Sequence, residues 1–87
     1  MLKKKDGISI TELTRRVGEI FKLCRKKRGL TQIEVANKAG LTQAAVSRIE
    51  KGLCSSSIDT LIKISQALGI KLSTVFEIIE SKKKPQL

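Results

Sequence analysis

The sequence predicts an all-α domain of five helices, on three observations. Apolar residues recur at helical spacing between glycines, and alternating runs bounded by turns are absent. Apolar residues make up 40% of the chain and aromatics only 2%, so the core must be built from Leu, Ile, Val and Ala. The single proline, Pro85, lies beyond the last helical pattern. A chain of 87 residues has room for one compact core, which we place at residues 9–80, between a flexible basic arm (1–8) and a flexible basic tail (81–87).

Each element has its own local reason. Ser9 and Glu12 have the spacing of a capping box, opening a first helix that runs to about Arg28. Its stripe is Ile10, Leu13, Val17, Ile20, Phe21 and Cys24, which leaves Arg15, Arg16, Lys22, Lys26 and Lys27 in water. Thr31 and Glu34 form a second box, and Ile33, Val35, Ala36 and Ala39 follow until Gly40 supplies a tight turn. Thr42 then caps a third helix in which Ala45, Val46 and Ile49 line one face, while Gln43, Ala44, Ser47, Arg48 and Lys51 fall on the other. Ser57 caps a fourth helix containing Ile58 and Ile62, with Leu61, Ile64 and Leu68 as its core stripe and Gly69 as its stop.

Ser73 is expected to cap a fifth segment, TVFEIIES. Val75, Phe76, Ile78 and Ile79 are more apolar surface than one face of a short helix needs, so they are expected to be covered in part by a second subunit. A run this brief also fits a short strand pairing across a dimer axis; helix is preferred.

The formal net charge of +10 points to a polyanionic partner, and anionic membrane surfaces attract the same residues as nucleic acid. The third helix decides between them. Its exposed face offers Gln, Ser and Arg without an acid, which suits the DNA major groove, where amides and guanidiniums form paired hydrogen bonds with base edges. No apolar run approaches the ~18 residues of a transmembrane span, and the basic start has no apolar stretch behind it, so a cytoplasmic location is expected. Two cysteines, Cys24 and Cys54, and no histidine exclude a zinc site; Cys24 reads as a core residue and Cys54 as a loop residue. No metal, cofactor or small-molecule ligand is expected. Without histidine, a glycine-rich phosphate loop or a cluster of acid, base and nucleophile, catalysis is not expected either.

The ordered set Arg25, Gly29-Leu30-Thr31-Gln32, Val35-Ala36, Gly40-Leu41-Thr42, Val46-Ser47, Ile49-Glu50, Gly52, Thr60-Leu61 and Ala67-Leu68-Gly69 spans roughly residues 17–79. It resembles the Cro and phage-repressor type of helix-turn-helix regulator. The resemblance implies a lambda-repressor-like fold with the motif on helices two and three. It also implies a largely buried structural ion pair between Arg25 and Glu50, and phosphate contacts from Gln32 and Thr42. Base readout falls to Gln43, Ala44, Ser47 and Arg48, with Gln43 suited to adenine, Arg48 to guanine or a phosphate, and the Ala44 methyl to thymine. Lys51 completes the DNA-facing set. The sequence departs from the family after Gly52, where Ser56 replaces the usual proline and the usual basic residues are missing.

The function expected is a sequence-specific transcriptional regulator, an autoregulating repressor bound as a homodimer to a pseudo-palindromic operator. With no room for a ligand-sensing domain, control is expected through concentration, degradation or a partner protein. The family also includes restriction-modification controllers. A second reading is an antitoxin that holds a kinase-type toxin and binds its own operator, since the early first helix and the apolar end resemble such antitoxins.

Overall fold

The computed structural model describes residues 9–53 and 56–81, and these form five α-helices: α1 (Ile10–Lys27), α2 (Gln32–Ala39), α3 (Gln43–Glu50), α4 (Ile58–Leu68) and α5 (Leu72–Ser81). The arm over 1–8, Cys54 and the tail beyond Ser81 lie outside the described residues. Among the described residues no helix is long and apolar enough to cross a membrane.

The helix starts follow the side-chain chemistry read from the sequence, with two corrections. Ser9 Oγ accepts the Glu12 N–H at 3.1 Å, Thr42 Oγ1 accepts from Ala45 at 3.1 Å and Ser57 Oγ accepts from Thr60 at 3.2 Å. At Thr31 the capping box is complete, because the Glu34 carboxylate also accepts the Thr31 N–H at 2.8 Å. The box expected at Ser9 is only half made. Glu12 turns instead to Arg15, at 2.6 Å, and Arg16, at 2.8 Å. Two guanidiniums outcompete one backbone N–H for a carboxylate. The second correction is in α5, which begins at Leu72, so Ser73 lies inside the helix. The Lys71 carbonyl takes the Thr74 and Val75 N–H groups in the role assigned to Ser73.

The core is one aliphatic cluster around Phe21, drawn from all five helices: Val17, Ile20 and Cys24 of α1, Val35 and Ala36 of α2, Val46 and Ile49 of α3, Ile64 and Leu68 of α4, Val75 and Ile79 of α5. α1 is the spine, touching α3, α4 and α5, while α2 packs on α3 and α4. Residues 74–80 are helical, so the strand alternative is excluded. Val75 and Ile79 are buried in the chain's own core, which corrects the expectation that they serve an interface; Phe76 and Ile78 are half-buried. Ile10 and Ile33, read as core positions, are 69% and 59% exposed. Each lies in the first turn of its helix, where the apolar stripe has not yet rotated onto a neighbour.

Candidate nucleic-acid interface

α3 is presented to solvent as the periodicity requires. Val46 and Ile49 are buried, Gln43, Ala44, Arg48 and the flanking Thr42 and Lys51 are exposed, and Ser47 is half-buried. The turn that sets α3 against α2 is made by Gly40, whose φ of 70° is left-handed, and by the Leu41 N–H reaching back to the Ala36 carbonyl at 2.9 Å. Thr42, at the α3 N-terminus, stands beside N–H groups of the first helical turn that are partly unpaired and carry partial positive charge.

The two ends of α3 are held by different means. At its C-terminal end, Arg25 of α1 grips Glu50 with two bonds, Nε to Oε2 at 2.7 Å and Nη2 to Oε1 at 3.1 Å. Its third donor, Nη1, reaches the Leu30 carbonyl at 2.9 Å. The side chain of Glu50 is 3% exposed and that of Arg25 11%, so this is the buried pair implied by the resemblance. Glu50 also accepts from Gln32 Nε2 at 3.0 Å, and Gln32 Oε1 in turn accepts from Gln43 Nε2 at 2.6 Å. The chain Arg25, Glu50, Gln32, Gln43 thus ties α1 to α3, α3 to α2 and α2 back to the start of α3.

That chain was not legible in the sequence beyond its first link. Its signal was present, since Gln32 and Gln43 are the first residues of successive helices joined by a tight turn, but spacing alone does not tell a contact between them from separate solvation. The consequence is chemical. Gln43 keeps its Oε1 and its second amide hydrogen, the acceptor and donor that a bidentate contact with adenine uses. Gln32 likewise keeps one amide hydrogen for a phosphate.

Two glycines let α1 approach the other side of α3. A Cβ on Gly18 would collide with the Ile49 carbonyl and lie 3.0 Å from that of Glu50, and one on Gly52 would lie 2.8 Å from Arg15 Cα. Neither close approach was read from the sequence. Charge is distributed accordingly: the only acid of α3 is buried in its ion pair, and Arg48 and Lys51 are exposed, with no acid in ion-pair distance among the described residues. Glu34, at the foot of α2, is held below the usual carboxylate range by the Thr31 N–H and hydroxyl. Cys24 is fully buried, and burial pushes its thiol up although Arg28 beside it opposes the shift.

Comparison with known proteins agrees with this geometry. The immunity repressor protein of Bacillus phage phi105 is 39% identical over 59 residues, covering 68% of this chain and 41% of the repressor. The chain therefore spans about two fifths of that relative's length. Antitoxin HipB of Escherichia coli K12 is 36% identical over 53 residues, 61% of this chain and 60% of HipB. Among solved structures, the restriction-modification controller protein C.Esp1396I, as a tetramer in complex with its natural 35 base-pair operator, superposes with a TM-score of 0.73 at 25% identity over 86% of this chain and 96% of that one. The helix-turn-helix family model matches residues 21–75, from the middle of α1 into α5, and so takes in the Arg25–Glu50 tie, both motif helices and the packing of α2 on α4. The chain belongs to the Cro/C1-type helix-turn-helix family of transcriptional regulators.

Proposed function

We propose that this protein is a sequence-specific DNA-binding regulator that represses its own gene as a homodimer on a pseudo-palindromic operator. The observation that carries the proposal is the α3 face, where an acid-free row of Gln43, Ala44, Ser47 and Arg48 is held by the hydrogen-bond chain from Arg25 to Gln43 with the outer edge of Gln43 unused. Gln43 and Arg48 read base edges, Ala44 meets a thymine methyl, Ser47 lies at the same groove floor, and Gln32, Thr42 and Lys51 hold phosphates that fix the register. Two copies place two α3 helices on half-sites about one helical turn apart. The phage immunity repressor and the operator-bound controller support this reading by similarity.

Selection of bound sequences from a random DNA pool at physiological salt, with the mass of the complex measured in the same preparation, tests it. A palindromic consensus bound by two chains is expected. Binding without a consensus that vanishes as salt rises would overturn it. The similarity to HipB keeps a second reading, an antitoxin that also binds a toxin protein. A toxin-sized reading frame abutting this one, whose product co-purifies with this chain, would favour that reading.

A further inference from the structure

We propose that the second copy in the dimer docks on an apolar recess between the N-terminal ends of α1 and α4, walled in part by Phe76 of α5; the inference rests on the homodimer reading above. Ile10, at the start of α1, is 69% exposed, and Ile58, at the start of α4, is 59% exposed. Between them opens a recess of about 200 Å³ whose walls include Leu13, Ile49, Leu61 and Phe76, with no charged side chain among its described lining residues. Isolated exposed aliphatics are ordinary on protein surfaces, but two flanking an apolar recess are not isolated.

Three features select a copy of the same chain as the occupant. The first is charge. Chains carrying +10 repel one another and can meet only where the repulsion is least. Among the described residues, the cations around the recess are already paired: Arg15 and Arg16 with Glu12, Arg15 with Glu19, Lys63 with Asp59. Toward the other end of α1, Lys22, Lys26 and Lys27 have no acid within ion-pair distance among the described residues. The second is shape. One patch carries both protruding isoleucines and a recess able to receive them, the self-complementarity that a two-fold contact requires. The third is direction. Ile49 belongs to the buried stripe of α3, so the recess lies behind the recognition helix, and a partner seated there leaves Gln43, Ala44 and Arg48 uncovered.

The test compares Ile58→Glu and Ile10→Glu with a control, Leu23→Glu, which replaces a half-exposed leucine outside the recess. Sedimentation equilibrium without DNA reads the mass, and circular dichroism reads the helices. The wild-type chain should approach twice 9.6 kDa, and the control should match it. Each recess variant should raise the dimer dissociation constant at least ~30-fold with the helical spectrum intact, as for a central interface residue. If Ile58→Glu loses its helices, Ile10→Glu decides. A wild-type chain that stays monomeric, or recess variants as dimeric as the control, would overturn the proposal.

The DNA reading fails separately. A chain that dimerises through Ile58 yet selects no sequence leaves the interface standing and removes the operator. A palindromic consensus bound by variants that still dimerise removes the interface and leaves the operator.

Discussion

Glu50 is the residue at which α1, α2 and α3 meet, and its partners make it a structural acid. Its carboxylate takes two bonds from Arg25 and one from Gln32 in a site almost closed to water. Glu50→Ala strands the guanidinium of Arg25, at a cost of about 3 kcal/mol. At about 4–8 °C per kcal/mol for a domain of this size, the melting temperature should fall by well over 10 °C. An unchanged midpoint would mean that the pair contributes nothing. Glu34 behaves differently because it is exposed and its role is to cap α2. Its carboxyl is held below its ordinary value of 4.5, so the unfolded chain binds the proton more tightly, and the cap's contribution is present above that value and lost as the pH falls through the lowered one. Urea unfolding at descending pH should therefore show a weaker acid loss in Glu34→Gln than in the wild type. The Arg25–Glu50 pair was legible through the family resemblance, whereas Gln32 bridging Glu50 to Gln43 was not, since a polar residue at a helix start reads equally well as solvated.

At the scale of elements, two glycines show how much of the fold a sequence pattern carries. Gly40 ends α2 just where the periodicity stops, and its left-handed backbone is the reason. Nothing lies near a Cβ built there, so Gly40→Ala should cost only the backbone penalty, about 1 kcal/mol. Gly18 sits in the middle of a long helix, where a glycine has no local purpose, and its purpose is tertiary: it lets α1 touch the backbone of α3 at Ile49 and Glu50. Gly18→Ala should cost about 3 kcal/mol, because a backbone carbonyl cannot rotate aside as a side chain can. Thermal melts of the two variants, run together, check the ordering, and a Gly18→Ala variant as stable as Gly40→Ala would refute the close approach. The same distinction explains α5. By pattern a run this brief fits helix or strand, helix being preferred, and which of Val75, Phe76, Ile78 and Ile79 face inward depends on the direction of approach to α1 and α4. That choice placed Val75 and Ile79 in the core, with Phe76 and Ile78 toward the outside.

For the whole molecule the governing quantity is the net charge of +10, and under the proposed function the contacts to DNA fall into two separable classes. Contacts to phosphate release counterions whatever the sequence, so each contributes a salt slope of about 0.9 and the same factor on every duplex. Contacts to base edges contribute to one sequence and little to others. Arg48 and Gln43, on the exposed face of α3, are assigned to the second class, and the lysines at residues 3–5 to the first. Replacing Lys3, Lys4 and Lys5 by alanine should lower affinity for the selected operator and for random DNA by one common factor. It should also flatten the plot of log affinity against log salt by about 0.9 for each phosphate that the arm no longer neutralises. Gln43→Ala and Arg48→Ala should instead relax the preference at particular base pairs, each by about 1–3 kcal/mol of discrimination, with random DNA weakened far less. Titrations of all these variants from about 50 to 200 mM salt, on both duplexes, separate the classes. If the lysine replacements altered the selected sequence, the arm would be a reader. If Arg48→Ala weakened both duplexes equally and left the consensus unchanged, Arg48 would be a phosphate contact, and readout by α3 would rest on Gln43, Ala44 and Ser47.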